Sequence, residues 1–210
     1  MAQAALAVSL PYPDTGTVDC DTLAEQTERL AGSLPVRPLV VGGCCCAHAG
    51  AIRGLTARGG RLAVVWLDAH GDLNTVESSP SGNPWATPLR EVIDRGWVRP
   101  DDVALVGARN LDLPELEFMR ARGIGDDVDR AVADADAVYV ALDADVLDPA
   151  EFTPFMPEPD GLGIEQVEVL LRDLAGWAEI AGLGITAFLP SADATTLARL
   201  AAAALEPATL

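Results

Sequence analysis

The residues whose types and spacing could do chemistry stand in two places, each at the end of an apolar run. Residues 62–67 read LAVVWL and lead directly into Asp68, His70 and Asp72. Residues 137–142 read AVYVAL and lead into Asp143 and Asp145. In an extended chain, residues i, i+2 and i+4 share a face. If strand geometry continues past each run, two carboxylates and an imidazole converge at one end and two carboxylates at the other. Asp and His together are hard-to-borderline ligands suited to Mn, Zn or Mg. A lone Asp-x-Asp reads equally well as an acidic turn, but two such ends in one chain shift the balance. Four carboxylates brought together repel one another and raise their pKa values unless cations neutralise them. A pair of divalent metal ions is the natural solution, and it can generate a hydroxide near neutral pH.

The elements that must position these residues follow from pattern. The run at residues 62–67, with Gly59-Gly60 before it and a polar loop after, reads as a buried parallel strand. Ligands bind at the carboxyl edge of such sheets. Residues 4–10 read as a first strand, stopped by Pro11 and Pro13, and residues 21–33 as a helix. A short strand at 39–41 runs through Gly42-Gly43 into a helix at 46–58, closing a right-handed βαβ unit with the strand at 62–67. Residues 74–86 are a polar loop long enough to be functional. Thr87 is placed as N-cap of a helix to residue 94, with Pro88 in its first turn. A strand at 103–107 and helices at 113–122 and 126–133 precede the strand at 137–142. Residues 148–163 form a second long loop, and then come a helix at 163–177, a strand at 179–186 and a helix at 192–205. The expected fold is a single α/β domain over residues 1–210, three-layer α/β/α with a mainly parallel sheet.

Composition narrows the function. The 210 residues are half apolar, enough for one substantial core and too apolar for disorder. A net charge of -18 disfavours nucleic acid and anionic membranes as partners and suits cationic small molecules and metal ions. No apolar stretch is long enough to span a bilayer. The amino-terminal residues lack the basic charge of a signal peptide. Three of the four cysteines, Cys44, Cys45 and Cys46, are consecutive, which is not a disulfide framework. A cytoplasmic, reducing location is the expectation.

DAHGD at residues 68–72 and LDADVLDP at residues 142–149 resemble the two signature motifs of the arginase/agmatinase (ureohydrolase) family. SGNPWATPL from Ser81 resembles that family's active-site loop, and GARNLDLPE from Gly107 its substrate loop. The resemblance implies a binuclear metal centre, typically two Mn ions, and a hydrolase of guanidino- or amidine-type C–N bonds. By that resemblance Asp68 and Asp143 bridge the metals, His70 and Asp145 complete one site, and Asp72 completes the other. Asp72 is also the implied proton acceptor and then donor to the leaving amine. Asn83 and Trp85 on the active-site loop and Asp112 on the substrate loop are the implied substrate contacts, with Glu115 beside Asp112. The family's tendency to trimers or hexamers implies a possible homo-oligomer.

Three positions depart from the family pattern. Cys45 stands where the family has a His ligand. As a thiolate at a helix N-terminus it would favour Zn or Co over Mn; as a small buried residue it would be inert. Both readings stay open. His48, one turn further on, should point along a different face. Trp85 replaces a proton-shuttling His, and indole transfers no protons at neutral pH. Ala187 replaces a Glu that grips guanidinium. The first functional reading is therefore a divergent hydrolase of an amidine-, guanidino- or urea-like small molecule, less charged than arginine. The alternative is a relative that kept metal or partner binding and lost catalysis.

Overall fold

The computed structural model describes residues 10–206. Strands β1 (Leu39–Val41), β2 (Leu62–Leu67), β3 (Val103–Val106), β4 (Ala137–Asp143) and β5 (Ile180–Thr186) form one sheet in the order β1-β5-β4-β2-β3. Every pairing between them is parallel. The helices are α1 (Leu23–Ser33), α2 (Cys46–Thr56), α3 (Pro88–Asp94), α4 (Leu113–Arg122), α5 (Val128–Val132), α6 (Ile164–Trp177) and α7 (Ala194–Leu205).

A parallel strand covered on both faces must be apolar along its length, and β2 is buried at all six positions. Side-chain alternation then divides the core in two. Val64, Trp66, Tyr139 and Ala141 face a core closed by α2, α3 and α4. Val65, Leu67, Val140 and Leu142 face a second core closed by α6 and α7. This is the expected three-layer arrangement. An irregularity in β5, opposite Val138 and Tyr139, inserts one residue, so Ile180 and Leu183 both enter the second core despite being three apart.

Several boundaries differ from expectation. The strand expected at residues 4–10 lies, Leu10 apart, outside the described residues. Helix α2 stops at Thr56 rather than residue 58, because Gly59 and Gly60, at φ 90° and 85°, turn the chain back toward β2. Thr87 does sit at the N-cap of α3, with Pro88 in its first turn, but its hydroxyl caps nothing. It donates instead to the Pro84 carbonyl at 2.8 Å and closes the 3₁₀ turn Pro84–Ala86. Helix α5 is shorter than residues 126–133, beginning after its Asp127 cap.

Register is what builds the site. Leu67 pairs with Leu142, and Asp143 pairs with Thr186. The carboxyl ends of β2 and β4 are therefore flush in the middle of the sheet, and Asp68 and Asp143 emerge side by side. Among the described residues no helix is long and apolar enough to cross a membrane.

Candidate active site

Asp68 follows β2 directly. Its Oδ1 accepts from the His70 amide at 2.7 Å and its Oδ2 from the Trp66 indole Nε1 at 3.0 Å. Asp143 ends β4; its Oδ1 accepts from the Asp145 amide at 3.0 Å and its Oδ2 from the Thr186 hydroxyl at 3.3 Å. Asp145 lies in the 3₁₀ turn Ala144–Val146 and accepts from the Ala69 amide at 2.9 Å. That bond ties the loop after β2 to the loop after β4. His70 Nδ1 is 2.9 Å from Asp145 Oδ2 and 3.5 Å from Asp68 Oδ1, while Nε2 is 3.4 Å from Glu158 Oε1. The imidazole is thus aimed by one nitrogen into the carboxylates and held by the other, the arrangement that orients metal-binding histidines. Donor atoms of Asp68, His70 and Asp145 all lie within 4.8 Å of one another.

Asp72 completes the wall. Its backbone is in the left-handed region at φ 52°, held by the Arg90 amide donating to its carbonyl at 2.9 Å. The residue is only 4% exposed, yet Oδ2 has no hydrogen-bond partner among the described residues. A buried carboxylate oxygen left unpaired costs far more than a paired one. A cation would satisfy it, and the donor set around it fits a hard divalent ion.

The electrostatics point the same way. Burial, then Asp145, pushes Asp68 up to about 6. Burial, then Asp68, holds Asp72 and Asp143 well above the ordinary carboxylate range. Burial also disfavours the charged form of His70 and Asp145. Their mutual contact outweighs it, pushing His70 up to about 11 and Asp145 down. Without a cation, His70 offsets the charge of Asp145, and Asp72 and Asp143 favour keeping their protons.

The nine residues singled out from sequence all line one cavity of about 200 Å³: Asp68, His70, Asp72, Asp143, Asp145, Cys45, Asn83, Trp85 and Asp112. Cys45 differs from the thiolate expectation. Its Sγ donates to the Trp85 carbonyl at 3.1 Å, and contact with Cys44 and Cys46, then burial, pushes its thiol well up. The thiol lowered in this cluster is Cys44, to about 4, by the thiols of Cys45 and Cys46. Asp72 adds to the effects on Cys45, which keeps its proton although it stands at a helix N-terminus. Glu115 is occupied structurally, accepting from the Leu73 amide at 3.0 Å and the Asp112 amide at 2.9 Å. Asp112 accepts from Asn74 Nδ2 at 2.9 Å and still faces the cavity. Ala187 adopts φ 55°, and its carbonyl accepts from the Phe155 amide at 2.7 Å, so the loop after β4 is stitched across the end of β5.

Trp66 and Thr186 escaped the sequence reading. Strand alternation could have found Trp66, two residues before Asp68 on the same face. Thr186 needed the register.

The arginase-family profile matches residues 4–209. The chain belongs to the arginase family. It is 34% identical to the arginase of Bacillus caldovelox over 164 residues, 61% of this chain and 55% of that protein. The match to the Staphylococcus aureus (strain COL) enzyme covers 47% of that arginase, so the chain spans about half the length of these curated relatives. The fold resembles the crystal structure of arginase from Bacillus cereus, with a TM-score of 0.80 at 26% identity over 88% of this chain and 78% of that one. It also resembles proclavaminate amidino hydrolase from Streptomyces clavuligerus, with a TM-score of 0.71 at 26% identity over 87% and 67%. Relatives in this family are hydrolases.

Proposed function

We propose that this arginase-family protein is a divergent metal-dependent hydrolase of a C–N bond in an amidine-, guanidino- or urea-like small molecule, with a substrate other than arginine. The observation that carries the proposal is the unpartnered, buried Oδ2 of Asp72 in a cavity shared with Asp68, His70, Asp143 and Asp145. Asp68 and Asp143, side by side, would hold both of two divalent ions. His70 and Asp145 would complete one position, and Asp72 with Cys45 the other. Bound there, such ions supply Lewis acidity and lower the pKa of water. Mn suits the carboxylates; Zn or Co suits the second position if Cys45 exchanges its Trp85 bond for a metal.

The chain's own residues supply the rest. Asp72, whose carboxyl burial pushes well up from the ordinary range, can take a proton from the attacking water and return it to the leaving amine. Asp112 and Asn83 offer polar contacts at the cavity wall, and Trp85 gives it an apolar side that excludes water. Ala187 offers no charge for a guanidinium, so a less basic amidine or ureido group fits better than arginine.

One observation favours a second reading. The Cys45 Sγ to Trp85 carbonyl bond joins two of the positions that depart from the family. A relative that had lost catalysis could lock its pocket in this way. Metal content, together with amine and ammonia release from a panel of guanidino, ureido and formimino compounds, separates the two. Turnover of any panel member that is lost on chelation supports the enzyme. A metal-loaded protein inert to the whole panel supports the binding relative.

A further inference from the structure

Beneath the carboxylates lies a hydrogen-bond chain that the proposed chemistry does not use. His48, on α2, is fully buried. Its Nδ1 is 3.0 Å from the Tyr139 hydroxyl, and its Nε2 is 3.1 Å from Thr186 Oγ1. The Thr186 hydroxyl is in turn 3.3 Å from Asp143 Oδ2. Three elements thus contribute one link each: β4 gives Tyr139, α2 gives His48 and β5 gives Thr186.

Proton counting orients this chain. An ionised carboxylate accepts only, and a hydroxyl has one hydrogen. If Thr186 donates to Asp143, its oxygen must accept from His48, so Nε2 carries the imidazole hydrogen. Nδ1 is then the acceptor and takes the Tyr139 hydrogen. The opposite orientation would leave the Tyr139 hydrogen, deep in the core, without an acceptor among the described residues, whether or not Asp143 carries a proton. Burial lowers His48 to about 3, which keeps the ring neutral, as the one-way chain requires. The ring packs edge-on against Trp66, with centroids 5.0 Å apart at 74°. Gly184 makes the room, because a Cβ there would collide with both the Tyr139 hydroxyl and His48 Nδ1.

We infer that Tyr139, His48 and Thr186 form a directional relay that holds the Asp143 carboxylate in its metal-binding orientation, His48 and Thr186 being positioning residues. With Thr186 on Oδ2 and the Asp145 amide on Oδ1, each oxygen of Asp143 keeps a lone pair for the cavity. The metal part rests on the function proposed above; the orientation of the relay does not.

The test uses the whole protein. Thr186→Val removes the hydroxyl at nearly constant shape. Manganese titration should show about a 10- to 100-fold loss of affinity, restored by Thr186→Ser, while circular dichroism and the thermal midpoint confirm folding. In parallel, ¹⁵N NMR of metal-free wild type should show neutral His48 as the Nε2–H tautomer. Tyr139→Phe, which removes the donor to Nδ1, should weaken that preference. An Nδ1–H tautomer in the wild type overturns the relay whatever the metal result. Equal manganese affinity in wild type and folded Thr186→Val overturns the positioning role. If the wild type itself binds neither manganese nor zinc nor cobalt, the function proposed above fails and so does the positioning role, while the tautomer still decides whether the relay exists.

Discussion

Asp143 is proposed to hold both ions, and its removal is the sharpest single test of the metal assignment. Asp143→Ala should lower metal stoichiometry more than Asp72→Ala, as measured by elemental analysis after loading and desalting. An unchanged content in the first variant would place the metal elsewhere. For Cys45 the readout is spectroscopic. If its sulfur ligates, cobalt-loaded wild type should show a thiolate charge-transfer band in the near ultraviolet that Cys45→Ala lacks at equal occupancy, and Cys45→His should shift preference toward Mn. Identical spectra would leave Cys45 as the thiol donor to Trp85 seen here. Trp85 and Ala187 set a third expectation. Without a proton shuttle, hydrolysis of L-arginine to urea should fall about 10²–10⁴-fold below a general-acid–base rate. Urea release with Mn at an ordinary arginase rate would contradict it.

At the scale of elements, most of the framework was legible because it is written locally. The runs at residues 62–67 and 137–142 are Val-rich and bounded by turn signals, and both became central strands. Their carboxylates could be read as a pair. What the chain could not disclose from local pattern was register: that Leu67 would face Leu142 and Asp143 would face Thr186. The relay was hidden for the same reason, since the partners of His48 lie 91 and 138 residues away. Arg109 is a further long-range device. Its guanidinium donates to the carbonyls of Gly107 at 3.0 Å, Asp145 at 2.7 Å, Glu158 at 3.0 Å and Pro159 at 2.7 Å. It therefore clamps the loop after β3 to the metal-side turn and to the loop that carries Glu158. Arg109→Met should destabilise the protein by about 2 kcal/mol and speed amide exchange at residues 155–159. Unchanged exchange there would show that the loop is held by other means.

For the whole molecule, the buried groups make stability depend on pH in opposing directions. His48 falls from 6.5 to about 3 on folding, so between those values the unfolded chain binds the extra proton. Its contribution is full above pH 6.5 and is lost as pH falls toward 3, by about 1.4 kcal/mol per unit. Asp68, Asp72 and Asp143 are raised on folding, so in the metal-free protein they pull the other way. Comparison of urea unfolding for wild type and His48→Gln isolates the histidine: the wild-type advantage should shrink steadily from pH 6.5 to 4. A constant gap would mean that His48 is not held neutral in the core. Metal binding adds to the same balance, since a ligand of the native state alone raises its stability with concentration.

The space beside Gly184 carries a consequence for descent. A Cβ at that position would meet the Tyr139 hydroxyl and His48 Nδ1, so position 184 must stay glycine while those two side chains stay. A lineage that places any larger residue at 184 must first, or simultaneously, surrender both the tyrosine hydroxyl at 139 and the imidazole at 48. A lineage that acquires the imidazole must already have glycine. Position 184 should therefore be glycine in every relative that keeps both the imidazole at 48 and the hydroxyl at 139, although those positions are 136 and 45 residues away in sequence. The epistasis is steric, and it passes through a residue with no side chain.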